Sequence, residues 1–474
     1  MKEQVRNQDG AATPSSRSGS SCEHQASGWA SVRGTTSERD EGVAAPSRSL
    51  APIPSRSRLP CGTLLLCALA AITLPARGAE DFLDRLDEAL TASAQNAAVR
   101  ARLSGTLDLE GYSFSQPAPG LIVSQGTSLF NPRLTLFVDA QLGGKIYFFV
   151  QSRVDRGFDP SNDGLECRLD EYALRFTPWT DGRFNLQVGK FATVVGTWVQ
   201  RHGSWENPFI TAPLPYENLT GMWDVFAVRS AATLLRWAHV RPLSFTGEQF
   251  ADAHFRLPIV WGPSYASGAA ISGEFGNFNY AAEMKNGSLS SRPEYWDVGE
   301  VHWAHPTFSG RVGFRPDERW SFGLSASAGS YLLPEAGPGL APGHDADDYR
   351  EVVLAQDVSY AWHHWQVWAE AYEARFEIPT VGTVETTAYY IETKYKFTPQ
   401  FFGALRWNQQ LFGTVTDIAG EHVRWGYDTW RVDVAPSFRF TPHTQLKVQY
   451  SVQPEHLGTN HYNHEFAGQL TVRF

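Results

Sequence analysis

Along most of the chain from Arg102 to the last residue, apolar side chains return at every second position, which restricts those stretches to extended strands with one dry and one wet face. Leu103, Leu107 and Leu109 alternate with Ser104, Thr106, Asp108 and Glu110. Ile146, Phe148, Val150 and Val154 alternate with Tyr147, Gln151, Arg153 and Asp155. A helix would space its apolar residues three and four apart, and a sheet buried on both faces would read as unbroken apolar runs. A soluble sandwich shows the same alternation, so the connections between strands have to decide.

Those connections are unequal. Tight turns at Gly143-Gly144, Pro178 to Gly182, Pro316-Asp317, His363-His364, Thr398-Pro399-Gln400 and Thr441-Pro442-His443 alternate with long stretches near 115–128, 156–166, 287–298, 332–349, 410–428 and 453–464. Short turns at one end and long loops at the other mark a transmembrane barrel. Phe176-Thr-Pro178, Phe397-Thr-Pro399 and Phe440-Thr-Pro442 repeat one phrase, in which proline stops the ladder. Trp179, Phe184, Trp320, Trp362, Trp365 and Phe401 flank the short turns, where an interfacial aromatic girdle belongs. In this register the strands are 103–113, 129–141, 145–155, 167–177, 184–191, 268–276, 278–286, 306–315, 320–331, 350–361, 365–377, 386–397, 401–409, 429–440, 445–453 and 465–474. The reading is all-β: a transmembrane antiparallel β-barrel of about 16 strands over 101–474, with both chain ends on the periplasmic side.

Composition agrees once it is divided. The mean hydropathy of -0.31 suits a wall that alternates polar with apolar residues. The body carries too many rings to be disordered, with 16 Trp, 17 Tyr and 29 Phe in the chain. Residues 1–58 read as a disordered leader or a mis-called start. Arg56 and Arg58 then precede an apolar run from Leu59 to Leu74, and Ala76-Arg-Gly78 offers a small-x-small cleavage pattern, so 59–78 reads as a signal peptide. Cys22, Cys61 and Cys67 leave with that segment, and the lone Cys167 excludes an internal disulfide framework. The remaining 79–474 hold 31 Lys+Arg and 44 Asp+Glu, a net charge of -13 that argues against nucleic acid as partner. Phe82, Leu83, Leu86 and Leu90 lie at helical spacing, giving a short periplasmic helix within 79–100.

The last strand carries the most specific pattern. Phe466, Gly468, Leu470, Val472 and the terminal Phe474 share one face, opposite Ala467, Gln469, Thr471 and Arg473. It resembles the C-terminal signature by which outer-membrane proteins are recognised for insertion, which makes Phe466, Leu470, Val472 and Phe474 the signal and barrel-assembly machinery a partner.

Leu103-Ser-Gly-Thr-Leu-Asp-Leu109, Leu186-Gln-Val-Gly-Lys-Phe191 and Phe278-Asn-Tyr-Ala-Ala-Glu-Met-Lys-Asn-Gly287 are similar to segments of bacterial outer-membrane porins of the phosphate-selective (O and P) family. The resemblance spans about residues 100–474. It implies a sixteen-stranded barrel, a homotrimer, and a third loop folded inward to narrow the pore. Residues 192–267, the longest stretch without alternation, are the candidate, with Trp198, Arg201, His202, Glu206 and Glu217 as constriction residues. Anion-specific members present many lysines and arginines to the pore, whereas 79–474 hold six lysines and no matching arginine ladder.

With large apolar residues outward, the last strands point Lys394, Lys396, Arg406, Arg431, Arg439, Lys447 and Arg473 inward against Glu392 and Asp433. The first four point Arg133, Lys145, Arg153 and Arg175 inward with Asp108, Glu110, Asp139, Asp155 and Glu171. Seven cations against two anions suggest weak ion selectivity with a slight anion preference.

Other motifs read as ordinary structure. Asp159-Pro-Ser-Asn-Asp163-Gly164 with Asp170 mimics a calcium loop but lacks flanking helices and a final Glu. Asp345, Asp347 and Asp348 form a solvated acidic tip, and His461 to Glu465 matches neither zincin spacing. No metal or cofactor and no catalytic residue is expected. The function reads as an outer-membrane porin passing small hydrophilic solutes, among lipid and lipopolysaccharide. The alternatives are a barrel plugged by 192–267 with a structural or adhesive role, and an outer-membrane lipid hydrolase.

Overall fold

The computed structural model describes residues 76–93, 99–115, 121, 127–155, 166–239, 256–292, 303, 305–454 and 462–474. Helix α1 (Ala76–Ala89) and strand β1 (Thr91–Ser93) come first. Then follow β2 (Val99–Phe114), β3 (Ser128–Leu142), β4 (Ile146–Asp155), β5 (Glu166–Phe176), β6 (Asn185–Phe191), β7 (Ala266–Phe275) and β8 (Phe278–Lys285). Next are β9 (Thr307–Phe314), β10 (Trp320–Ser330), β11 (Arg350–Trp362), β12 (Trp365–Ile378), β13 (Gly382–Lys396) and β14 (Phe401–Phe412). A small hairpin, β15 (Thr414–Thr416) and β16 (His422–Arg424), precedes β17 (Thr429–Arg439), β18 (Thr444–Pro454) and β19 (Tyr462–Arg473). Between β6 and β7 lie α2 (Leu214–Glu217) and α3 (Ala231–His239).

Sixteen strands, β2–β14 and β17–β19, pair antiparallel in order and close on themselves. The seam joins β19 to β2 from Arg473↔Thr106 to Glu465↔Phe114, and Gly105 and Phe474 exchange backbone hydrogen bonds of 3.0 Å. Closure gives each of these sixteen strands a neighbour on both sides. β1 pairs with β2.

The alternation read from the sequence sorts the two faces. On β14, Phe402, Ala404, Arg406, Asn408, Gln410 and Phe412 are buried inward while Phe401, Leu405, Trp407 and Leu411 are exposed outward. Phe466 is exposed on the outer face of β19, with Ala467, Gln469 and Thr471 buried inside. The expected rings at the short-turn end are there too: Trp179, Trp320, Trp362 and Trp365 are all exposed. The Phe-Thr-Pro phrase also has a local cause. Thr398 Oγ1 accepts from the amides of Gln400 and Phe401, and Thr441 Oγ1 from those of His443 and Thr444, so each threonine closes its own turn.

Several boundaries differ from the sequence reading. The helix runs from Ala76 to Ala89 rather than through 80–99, because Leu90 already donates back to Leu86 and the chain then turns to pair β1 with β2. β12 and β13 extend to Ile378 and from Gly382, so their connection at the long-loop end is a tight turn, with Thr380 at φ 63° and Gly382 at φ 96°. Lys145 sits in an exposed turn, not on the inner wall. A register shift opposite Gln151/Ser152 lets both Asp170 and Glu171 turn inward, a phase change invisible where both residues are polar. The expected leader 1–58, residues 59–75 of the signal peptide, Asp159, Asp163 and His461 lie outside the described residues.

The core sits inside the barrel. On β11–β13, inward positions such as Val353, Ala355, Tyr372, Ala374, Phe376 and Val384 are apolar although the outer face is apolar as well. A wall dry on both sides needs an apolar cover. It receives one from Val195, Trp198, Tyr216, Leu257, Ile259 and Trp261 of the long inner segment, and from Leu289, Tyr331, Leu332 and Trp425 of neighbouring loops.

Candidate pore constriction

The inner segment leaves the wall at Phe191 and turns at Gly196, whose φ of 74° favours glycine. A Cβ there would also run into the hydroxyls of Tyr216 and Tyr372. The turn is tied down by two wall carboxylates. Thr193 Oγ1 (2.6 Å) and the Val194 amide (3.2 Å) donate to Glu283. Glu370 Oε1 accepts from the amides of Thr197 (2.5 Å) and Trp198 (2.7 Å) and from Thr197 Oγ1 (2.7 Å). Its Oε2 accepts from the hydroxyls of Tyr216 (2.6 Å) and Tyr372 (3.0 Å). Five donors around a carboxylate only 2% exposed replace the water it has lost.

Next comes the stretch that crosses the lumen. Arg201 pairs with Glu392 (2.5 Å), donates to the Tyr390 hydroxyl (3.1 Å) and lies over Trp368 (4.3 Å). His202 donates from Nδ1 to the Val199 carbonyl (2.5 Å) and meets the Tyr265 hydroxyl with Nε2 (2.8 Å). Burial pulls this imidazole down to about 4, so it is neutral at pH 7. Trp198 is buried against Tyr216 at 4.5 Å and anchors the segment.

Beyond it, the chain is gripped by β14, β17 and β18. Lys447 Nζ donates to the carbonyls of Ser204 (2.7 Å), Asn207 (3.0 Å) and Phe209 (3.1 Å). Gln449 Oε1 accepts from the amides of Ile210 and Thr211. Arg406 pairs with Asp433 (2.8 Å), donates to Thr211 and stacks on Phe209 (4.3 Å). Arg431 pairs with Asp433 (3.0 Å) and with Glu217 of α2. Glu217 is pushed up by burial and drawn back by Arg431. Thus Arg406, Arg431 and Lys447 point inward as their strand phase requires, but they lie buried beneath the segment and hold it, rather than facing an open passage.

The opposite wall, β2–β5, pairs its charges sideways. Arg133 lies 2.5 Å from Glu110 and 3.2 Å from Asp108. Arg153 lies 2.7 Å from Asp170, and Arg168 lies 3.0 Å from Asp155 and 2.9 Å from Asp170. The alternation had not singled out Arg168 or Asp170, because the bulge resets the phase. Nor had it singled out Glu370 and Gln449, whose partners on the inner segment are far away in the chain.

Two polar cavities flank the crossing stretch. One of about 580 Å³ is bordered by Arg133, Arg153, Phe137, His202, Gly203 and Arg473. The other, about 1520 Å³, is bordered by Glu171, Arg175, Gln187, Gln200, Arg201 and Arg311. Gln200 and His202 border both, so the segment divides the lumen. Arg175 reaches Gln187 Oε1 (3.0 and 2.8 Å). Lys394, Lys396, Arg439 and Arg473 lie on the inner wall near the short turns, and Glu206 of the segment is exposed beside them. The seven-to-two imbalance of the last strands therefore separates into three cations sequestered under the segment and four at the short-turn mouth.

No family model matches the sequence, and no curated protein matches it. Among solved structures, the chain is similar to the outer-membrane channel DcaP of Acinetobacter baumannii, at 10% identity and a TM-score of 0.50, over 81% of this chain and 99% of that one. It is also similar to the anion-selective porin from Comamonas acidovorans (11%, 0.47; 79% and 100% covered) and to Salmonella typhi OmpF in complex with daunomycin (9%, 0.49; 81% and 100% covered). At these identities the likeness concerns the fold: a closed sixteen-stranded antiparallel barrel.

Proposed function

We propose that this chain is an outer-membrane porin through which small hydrophilic solutes diffuse passively, with no chemical step and no cofactor. The observation that carries the reading is the pair of polar cavities between an inward-folded segment and a charged wall, inside a barrel whose outer face is apolar. Exposed outward side chains such as Leu324, Ile391, Leu405 and Val434, with tryptophans near the short turns, suit a bilayer hydrocarbon core and its interface. Lipid and lipopolysaccharide then surround the barrel, and assembly machinery would read Phe466, Leu470, Val472 and Phe474.

Passage is governed by the crossing stretch Trp198–Glu206 and by wall charges. Arg133, Arg153 and Arg175 face the cavities, with two of them neutralised by neighbouring carboxylates. A slight anion preference would come from Lys394, Lys396, Arg439 and Arg473. A homotrimer is part of the proposal; a trimer form is named for in-vitro folded OmpT of Vibrio cholerae. The apolar cluster between the inner segment and β11–β13 favours a second reading, a barrel plugged by the segment. Purified protein in a planar bilayer distinguishes them. Stable step conductances with a reversal potential leaning weakly to anions are expected; a silent membrane would select the plugged barrel, and strong cation selectivity would remove the anion preference.

A further inference from the structure

Helix α1 is fastened to the rim of the barrel at two charged points. Arg102 of β2 donates from Nε (3.1 Å) and Nη2 (2.7 Å) to Asp87. Asp84 lies 2.8 Å from Nε2 of His443, in the short turn between β17 and β18. Behind the helix, the Leu103 amide donates to the Leu90 carbonyl (3.0 Å), and β1 pairs with Arg100 to Arg102. The junction is thus held by backbone and the helix ahead of it by side chains. Its apolar residues add little grip, since Phe82 is exposed and Leu83 and Leu86 are only half-buried. Asp84 and the Asp87–Arg102 pair face water, so each fastening is weak and the docked and released positions lie close in free energy.

The fastening at His443 depends on a proton. Each ring nitrogen faces an acceptor: the Arg473 carbonyl lies 2.9 Å from Nδ1 and the Asp84 carboxylate 2.8 Å from Nε2. Both oxygens only accept, whereas a neutral imidazole has one N–H to give. Only the imidazolium, with two, satisfies both. A neutral ring that keeps its bond to Arg473 turns a lone pair toward Asp84, and attraction becomes repulsion. The other charged groups that border the same cavity as His443 and lie near this rim are Asp87, Arg102, Arg473 and Glu206. Carboxylates and guanidiniums keep their charge from about pH 5 to 8, where imidazoles titrate. His202, on the same border, is already neutral there, so His443 is the member that changes.

Position gives that proton a consequence. Asp87, Arg102, His443, Arg473 and Phe474 all border the cavity of about 580 Å³, so α1 forms part of its short-turn mouth. We propose that α1 is a proton-dependent latch on this mouth, docked while His443 is an imidazolium and released as the ring becomes neutral. Docking favours the protonated ring, so the latch is fully closed at the acid end of the imidazole range and is lost as pH rises through it. Release widens the entrance to the smaller cavity. Its role as a gate rests on the channel reading, but the latch itself does not require conduction.

The test is a distance. In the full barrel in detergent, Cys167→Ala removes the lone thiol beyond the expected signal peptide, and nitroxides are attached at Glu88→Cys on α1 and Gln400→Cys in a short turn, both exposed positions. Pulsed dipolar spectroscopy should show one narrow distance at about pH 5 and a broad distribution at about pH 8, the docked population falling roughly two- to fivefold. Asp84→Asn, on an exposed helix position that leaves the wall intact, should remove the response, and so should His443→Gln. Identical distributions at both pH values in the unaltered protein, or a response that survives in either variant, overturns the latch. In planar bilayers the step conductance should be larger at the higher pH. Steps that ignore pH while the labels respond would overturn the gating role, and a silent membrane would overturn the channel reading alone.

Discussion

Two walls of one lumen carry similar charges and use them in opposite ways. On β2–β5, Arg133, Arg153 and Arg168 pair with Asp108, Glu110, Asp155 and Asp170 of adjacent strands, so the wall satisfies itself and its surface still borders a cavity. On β14, β17 and β18, Arg406 and Arg431 share Asp433 of the wall, but they and Lys447 also reach across to carbonyls and Glu217 of the inner segment, so the wall is fully satisfied only when the segment is in place. The difference teaches that an inward charge in a barrel is not by itself a pore-lining charge. What counts is whether its partner sits beside it in the sheet or across the lumen.

The largest effect that would break this comparison is expected at Glu370, a residue that joins β12 to the segment. Glu370→Ala strands five donors in a buried place and should cost about 3 kcal/mol or more. Heat-modifiability on gels should show the lower stability, and bilayer recordings should show larger or noisier steps as the segment loosens. Wild-type behaviour in both would mean that the segment is held elsewhere.

A somewhat smaller effect separates the two walls. Arg431→Met leaves Glu217 buried without its cation and should destabilise by about 3 kcal/mol, whereas Arg431→Met with Glu217→Met should recover most of that loss. Arg175→Gln, on an exposed side chain bonded to Gln187, should change stability by about 0.5 kcal/mol or less. Denaturant midpoints in detergent would measure all three, and equal losses for Arg431→Met and Arg175→Gln would erase the distinction.

A further test concerns acidity. His202 is held at about 4 in the folded protein against 6.5 for an ordinary imidazole, so the unfolded chain takes up the extra proton between those values. Its contribution is complete above about pH 6.5 and is lost as pH falls toward 4. His202→Gln should therefore flatten the stability profile across that interval, and an unchanged slope would show that other groups set it.

Much of this architecture was legible in the sequence. Strand phase placed Arg406 and Lys447 inward and set Phe466 on the face opposite Ala467, Gln469 and Thr471, and the Phe-Thr-Pro phrase located three of the short turns. The inner segment was visible as a break in alternation. Its path was not: Thr197 and Trp198 meet a glutamate 173 and 172 residues away in the chain. The bulge at Asp170 and Glu171 was hidden because either residue satisfies a polar position. On β11 the unbroken apolar run Val352, Val353, Leu354 and Ala355 is a signal that could have shown its inner face to be covered, but it was not singled out.

Sequence alone determined the strand number, the two faces and the closure, because the pleat turns each successive side chain to the opposite face whatever lies far away. Only the tertiary structure decided which inward cations are neutralised by the wall, which are covered by the segment, and which stand at the short-turn mouth. That choice depends on groups brought within a few ångströms from distant parts of the chain, where loss of water makes each partner decisive.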